Sequence, residues 1–371
     1  MIDPATVRSI LVYITSNVDN ALGENVLKLP LLLALKSAFP LATIAWVPGT
    51  SGSFFLRGAL APLVDGRIDE FVTDLAIPPD PRAALAMARR CGHPILSRHF
   101  DLIVDTQRYL GRTLFLRRIP HRRFISGTWA YVWSSASPPK PLLRRPPRLV
   151  DKLLGLAAAA ARRPVTVPNP IPLPAMLRAR AAALLPAGSA YIGLAPGAGN
   201  KDKGKCWPLD AYIALARQQT ERGRIPVFLI GPEERDWIEP LHAAVPEALF
   251  PEQHEAAAGQ GPSLTAALGG RLSVAVANCS GTGHLLAAGG APMVSLFGPT
   301  RPEKYAPFAR ALICLKAQDY GSAEDRIDAI PFAAVAEAVE RQAAIGPAAP
   351  MPMPHAATRN SDVLVGADLG C

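Results

Sequence analysis

The sequence runs twice through an alternation of β-rich apolar stretches and helical stretches, and a proline-dense segment parts the two series. In the first series residues 9–15, 42–47, 68–73, 101–106 and 122–126 read as strands, with helices over 24–38 and 81–90. The strand at 9–15 carries no helical stripe, as expected where both faces of a parallel sheet are covered. The second series reads as helix 175–185, strand 191–195, helix 209–222, strand 226–230, helix 234–244, strand 272–277, helix 284–288, strands 293–297 and 312–315, and helix 331–344. Such alternation builds βαβ units around parallel sheets, so the fold class is α/β, with two Rossmann-like domains in tandem. The expected division is 1–165 for the first domain, with a proline-rich linker from about 134, and 175–330 for the second. A closing helix at 331–345 and a disordered tail at 346–371, dominated by Ala, Pro, Met and Gly without periodicity, complete the chain. Ten prolines between 134 and 174 surround one short alanine-rich helix, which suits a stiffened hinge.

Charge separates the two series further. Residues 1–165 hold 22 basic and 11 acidic side chains, net +11, whereas 166–371 hold 17 and 19, net −2. That asymmetry predicts different partners for the two domains, with the first facing something anionic. The five cysteines lie far apart and form no Cys-x-x-Cys pair, which fits a reducing, cytoplasmic setting and argues against zinc. No apolar run approaches the roughly 20 residues that cross a bilayer, so membrane contact is expected to be peripheral.

Ligands of open α/β sheets bind beyond the carboxyl ends of strands, which directs attention to three loops of the second domain. The first is Ala195-Pro-Gly-Ala-Gly199 with Lys205-Cys-Trp-Pro208 downstream. Gly197 lets backbone N–H groups approach an anion and Lys205 supplies charge against a phosphate, although the same residues also suit a solvated loop ahead of a helix. The second, Gly231-Pro-Glu-Glu234, offers Glu234 either as an acceptor for ribose hydroxyls or as an acid favoured by the helix dipole. In the third, Asn278-Cys279-Ser280-Gly281-Thr282-Gly283-His284, small residues before a helix aim N–H groups at a diphosphate. His284 reads equally as a phosphate donor or as a capping or core histidine. No Asp-x-Asp occurs in the chain, which favours a site that works without a metal ion.

Taken together, these loops and Leu296-Phe-Gly-Pro-Thr300 resemble glycosyltransferase family 9, best known for the lipopolysaccharide heptosyltransferases. In the first domain Gly23-Glu-Asn-Val-Leu-Lys-Leu-Pro30 is similar to the family's Gly-Asp-x-x-x-x-x-Pro segment. The resemblance implies a GT-B architecture, with the acceptor held mainly by the first domain and a nucleotide-sugar, possibly ADP-linked, by the second. It also implies that the closing helix is free to pack back toward the first domain. The family's general base falls on Glu24, with Asp19 as a rival, and inverting transfer follows from attack opposite the nucleotide. Lys205 matches the phosphate-binding lysine and Glu234 the ribose-side acid. One departure is Cys279, where the family commonly carries an Asp that helps hold the donor sugar; a thiol cannot accept hydrogen bonds as a carboxylate does.

The basic stretch that includes Arg108, Arg112, Arg117, Arg118 and Arg122 is expected to bind an acidic glycan or glycolipid acceptor and an anionic membrane. The sparse aromatic residues beside it argue against nucleic acid. Two other functions remain open on the sequence: a sugar-nucleotide epimerase of the same fold, and a non-catalytic binder of anions or nucleic acid.

Overall fold

The computed structural model describes residues 6–15, 22–49, 53–137, 146–199, 204–321 and 325–348. Among these residues ten strands form two sheets of five: β1 Ser9–Tyr13, β2 Thr43–Val47, β3 Glu70–Phe71, β4 Phe100–Asp105 and β5 His121–Ser126 in the first, then β6 Tyr191–Ala195, β7 Ile225–Phe228, β8 Val274–Asn278, β9 Met293–Phe297 and β10 Leu312–Lys316 in the second. Every pair is parallel. The central strands β6, β8 and β9 are buried along their whole length, which is why they read as continuous apolar runs.

The strand orders differ: β3-β2-β1-β4-β5 in the first sheet and β10-β9-β8-β6-β7 in the second. Each order reverses at one place, between β1 and β4 in the first and between β6 and β8 in the second. Connections leave in opposite directions there and open a crevice beyond the strand ends. Register carries Tyr13 beside Asp105 and Ala195 beside Ala277, so the loops that follow them border these two crevices.

The alanine-rich helix within the proline segment is Leu149–Ala161, longer than expected, and it buries Val150, Leu153, Leu156 and Ala157–Ala160 against the first half. The segment after it is tied to the second half, where Asn169 Nδ2 donates to the carbonyls of Ala287 (3.0 Å) and Phe308 (2.8 Å). The closing helix, Phe332–Ala343, corrects an expectation. Instead of returning to the first domain it packs on the second sheet, with Val335, Ala338 and Val339 in one apolar cluster with Trp207, Val276 and Leu296. Arg224 and Gln219 fix its outer face through Glu340. An amphipathic helix docks where its stripe finds apolar cover, and the second sheet supplies it.

Candidate active site

The two crevices face each other, and the halves touch across them. The short helix Leu22–Val26 abuts the helix Gly281–Ala288 so closely that a Cβ on Gly23 would stand 2.7 Å from His284 Cδ2, and one on Gly281 would stand 2.8 Å from Leu22 Cδ2. Ser263 Oγ also donates to the Ala59 carbonyl (2.7 Å) and Arg148 Nε to the Ala306 carbonyl (3.1 Å).

A cavity of about 570 Å³ occupies the second-sheet crevice. Of the residues singled out as donor-binding, Gly197, Lys205, Glu234, Cys279, Ser280, Gly281, Thr282 and His284 line it, and Glu24 closes it from the other side. Gly283 lies in the wall behind, where its N–H donates to Ser280 Oγ (3.3 Å) and caps the helix Gly281–Ala288. Gly197 leaves room for the carboxyl of the buried Glu234: a Cβ there would fall 2.6 Å from its Cδ and force that side chain to move.

Asn278 explains why these loops hold together. Its fully buried side chain donates from Nδ2 to the Pro196 carbonyl (2.6 Å), while Oδ1 accepts from the Trp207 N–H (3.1 Å) and the Tyr212 hydroxyl (3.2 Å). One side chain therefore ties the first loop, the Lys205 loop and the third loop. Its motif position was visible in the sequence, but this linking role was not.

His284 is buried and its Nδ1 has no hydrogen-bond partner among the described residues. Burial, and then the nearby Arg148 charge, lower its pKa from the ordinary 6.5 to about 4, so the ring is neutral at physiological pH. Burial also pushes the Cys279 thiol up from its ordinary value, against the opposing effect of Thr300, and the cysteine forms no disulfide. A protonated thiol is a poor nucleophile.

The first-sheet crevice holds a second cavity, of about 510 Å³, with Thr15, Gln107, Arg108, Tyr109 and Tyr305 in its walls. Lys28, Lys152 and Lys304 also line it, three cations whose shared location the sequence reading missed. Lys28 is only 4% exposed, and burial lowers its pKa to about 8 despite the opposing effect of Glu24 one helical turn away. Half-buried Glu24 lines both cavities, as does Tyr305. Behind the wall, Asp105 accepts from Thr113 Oγ1 (2.6 Å), Ser126 Oγ (2.8 Å) and the Gln107 N–H (2.9 Å), fastening the ends of β4 and β5.

The basic stretch divides. Arg108 lines the cavity, and Arg112 stands behind it, donating to Gln107 Oε1 (2.8 Å), Thr15 Oγ1 (3.2 Å) and the Ile77 carbonyl (3.1 Å). Arg117, Arg118 and Arg122 are not brought to either cavity. The helix Leu110–Leu116 carries the chain back to the amino edge of the sheet, where these exposed arginines lie, and Arg117 bonds the Trp133 carbonyl (2.5 Å). Asp19 lies outside the described residues. Among the described residues no group of three or more His, Cys, Asp or Glu is placed to hold a metal ion.

The family model for glycosyltransferase family 9 (heptosyltransferase) matches residues 88–330. A family 9 glycosyltransferase from Veillonella parvula superposes with a TM-score of 0.61 at 17% identity, covering 93% of this chain and 99% of the other. ADP-heptose lipopolysaccharide heptosyltransferase II of E. coli gives 0.55 at 17% identity, covering 91% and 99%. E. coli heptosyltransferase WaaC with ADP gives 0.56 at 16% identity, covering 90% and 99%. At such identities the likeness establishes the fold, two Rossmann-like sheets across a cleft in the GT-B arrangement. No curated protein matches the sequence.

Proposed function

The chain belongs to glycosyltransferase family 9, and we propose that it transfers a sugar, heptose or a relative, from a nucleotide-sugar to a lipopolysaccharide core or another acidic cell-envelope glycan, with inversion and without a metal ion. The observation that carries this reading is the position of Glu24, the one carboxylate among the described residues that lies in the walls of both cavities. The nucleotide-sugar occupies the larger cavity, with its diphosphate over the amino end of the helix Gly281–Ala288 and beside Lys205, and its ribose at Glu234. The acceptor enters the first-sheet cavity, where Lys28, Arg108, Lys152 and Lys304 meet its acidic groups.

Glu24 takes the proton from the acceptor hydroxyl as that oxygen attacks the anomeric carbon. The bond from carbon to phosphate oxygen breaks on the opposite face, which inverts the configuration, and the electron pair leaves with the diphosphate. Lys205, the helix N–H groups and the neutral His284 ring stabilise that charge as it develops. Cys279 cannot replace the carboxylate that relatives place beside the sugar, so sugar selection is carried by other groups in the cavity. The enzyme works at the cytoplasmic face of the membrane, where the basic first half meets an anionic leaflet.

ADP, present with the E. coli WaaC structure, is the first nucleotide to test. Nucleoside diphosphates should raise the melting temperature in proportion to the logarithm of their concentration. No shift with any nucleotide would sink the proposal. Glu24→Gln should lower transfer by a factor of about 100 or more while donor affinity stays within about twofold. Retained turnover in that variant would move the base elsewhere, with Asp19 the next residue to replace.

A further inference from the structure

Four cations line the first-sheet cavity among the described residues, and burial sorts them. Arg108 and Lys304 are exposed and Lys152 is half-buried, whereas Lys28 is sunk in the wall at 4% exposure. Water stays around the first three, so they can meet an acidic ligand at small cost. A buried ammonium is costly to keep charged unless an anion nearby offsets the water it loses. Glu24 is the one carboxylate among the described residues in these walls, and it stands one helical turn before Lys28. The turn is fixed: the Leu27 N–H donates to the Gly23 carbonyl (3.0 Å), the Leu32 N–H donates to the Lys28 carbonyl (3.3 Å), and Gly23 is pressed against His284 with no room for a Cβ. Side chains four apart share one helix face, and glutamate ahead of lysine is the favourable order. Lys28 Nζ also donates to Oδ1 of the buried Asn25 (3.4 Å), in the same turn.

We propose that Lys28 is a positioning residue that acts through Glu24, its ammonium being the counter-ion that holds the carboxylate charged and aimed into the acceptor cavity. The inference rests on Glu24 as the base and adds the group that governs it. When Glu24 takes the acceptor proton the pair is broken, and loss of that proton to water restores it. Facing the same cavity are Arg108 and Tyr109 from the loop after β4, Lys152 from the helix Leu149–Ala161, and Lys304 and Tyr305 from the helix Pro302–Tyr305. The neutral His284 ring stands against Gly23 on the donor side. None of these is an anion at neutral pH, which leaves Glu24 to offset the Lys28 charge. Burial lowers the Lys28 pKa to about 8 against the opposing effect of Glu24, so the pairing is present at physiological pH and is lost as the lysine gives up its proton.

The pairing is read first without substrate. In NMR spectra of the full chain with isotopically labelled lysine, the resonance absent from Lys28→Met identifies the Lys28 Cε, and its titration midpoint should move down by about one pH unit in Glu24→Gln. An unchanged midpoint overturns the inference and leaves Glu24 free to act as the base. Kinetics with ADP-heptose and a heptose-free lipopolysaccharide test the consequence. Lys28→Met should lower kcat by about tenfold or more through a misplaced base. The decline of wild-type kcat/KM above about pH 8 should be absent from that variant. In the Glu24→Gln background the same substitution should change the residual kcat by no more than about twofold. A raised acceptor KM with kcat unchanged, or a full tenfold loss in the Glu24→Gln background, would make Lys28 a ligand of the acceptor alone and overturn the inference. Full turnover in Glu24→Gln, by contrast, overturns the base assignment and this inference together.

Discussion

His284 shows how a residue left ambiguous by sequence becomes a quantitative probe. Its folded pKa of about 4 lies below the unfolded value of about 6.5, so folding favours the neutral ring. Stability from this group is complete above pH 6.5 and falls with pH toward 4, by at most about 3 kcal/mol. Asp105, raised to about 6, and Glu252, raised to about 7, act in the opposite sense, since the folded state takes up their protons first. The signature is therefore the difference between wild type and His284→Gln: urea midpoints measured from pH 7 to 4 should fall more steeply in wild type. Parallel curves would mean that the ring protonates without cost. Sequence named this residue because it follows a run of small residues, but burial and a missing partner are properties of the fold. The same limit hid the cluster of Lys28, Lys152 and Lys304, which lie far apart in the chain and meet only because three separate elements border one crevice.

At the scale of elements, strands were legible because buried β-rich runs leave a strong mark, whereas the helix Gly261–Gly269 was not. Residues Ser263 to Gly269 are buried on every side, so the helix has no polar face and no amphipathic period. It packs against the helix Gly281–Ala288 through glycine contacts: a Cβ on Gly269 would lie 2.5 Å from the Leu286 carbonyl oxygen, and one on Gly289 only 1.7 Å from that of Ala266. Backbone atoms cannot swing aside as a flexible side chain does. Gly289→Ala should therefore cost about 2–3 kcal/mol through overpacking and weaken nucleotide binding by displacing the phosphate-facing helix. Gly92→Ala, where an added Cβ meets nothing within 4 Å, is the control and should leave the melting temperature within about a degree. Equal melting temperatures in the two variants would show that the helices separate freely.

For the whole molecule, the charge asymmetry resolves into two groups of cations at different ends of the first sheet. Lys28, Arg108 and Lys152 border the cleft, joined there by Lys304 from the second half, whereas Arg117, Arg118 and Arg122 lie at the opposite edge and outside both cavities. Composition registers only the sum. Beside the second group, Arg117 sits over the Trp133 ring, Trp133 pairs with Trp129 at 6.2 Å, and the loop holds Trp129 and Val132 out at 59% and 74% exposure. Three successive residues there, Trp129, Ala130 and Tyr131, take positive φ of 49°, 53° and 69°, a costly backbone to retain without a use. Aromatic and basic side chains presented together suit an interface with anionic lipid. The two groups should then separate in experiment. Reversing Arg117 and Arg118 to Glu, or replacing Trp129 and Val132 by Ser, should weaken cosedimentation with phosphatidylglycerol vesicles by about tenfold or more. Transfer to a water-soluble acceptor should be unchanged in both variants. Lys152→Ala should do the reverse, raising the acceptor KM by about fivefold or more with vesicle binding retained. If charge reversal at Arg117 and Arg118 instead raised the KM for the soluble acceptor, the outer arginines would belong to the acceptor path, and the cleft would have to extend around the β5 edge to reach them.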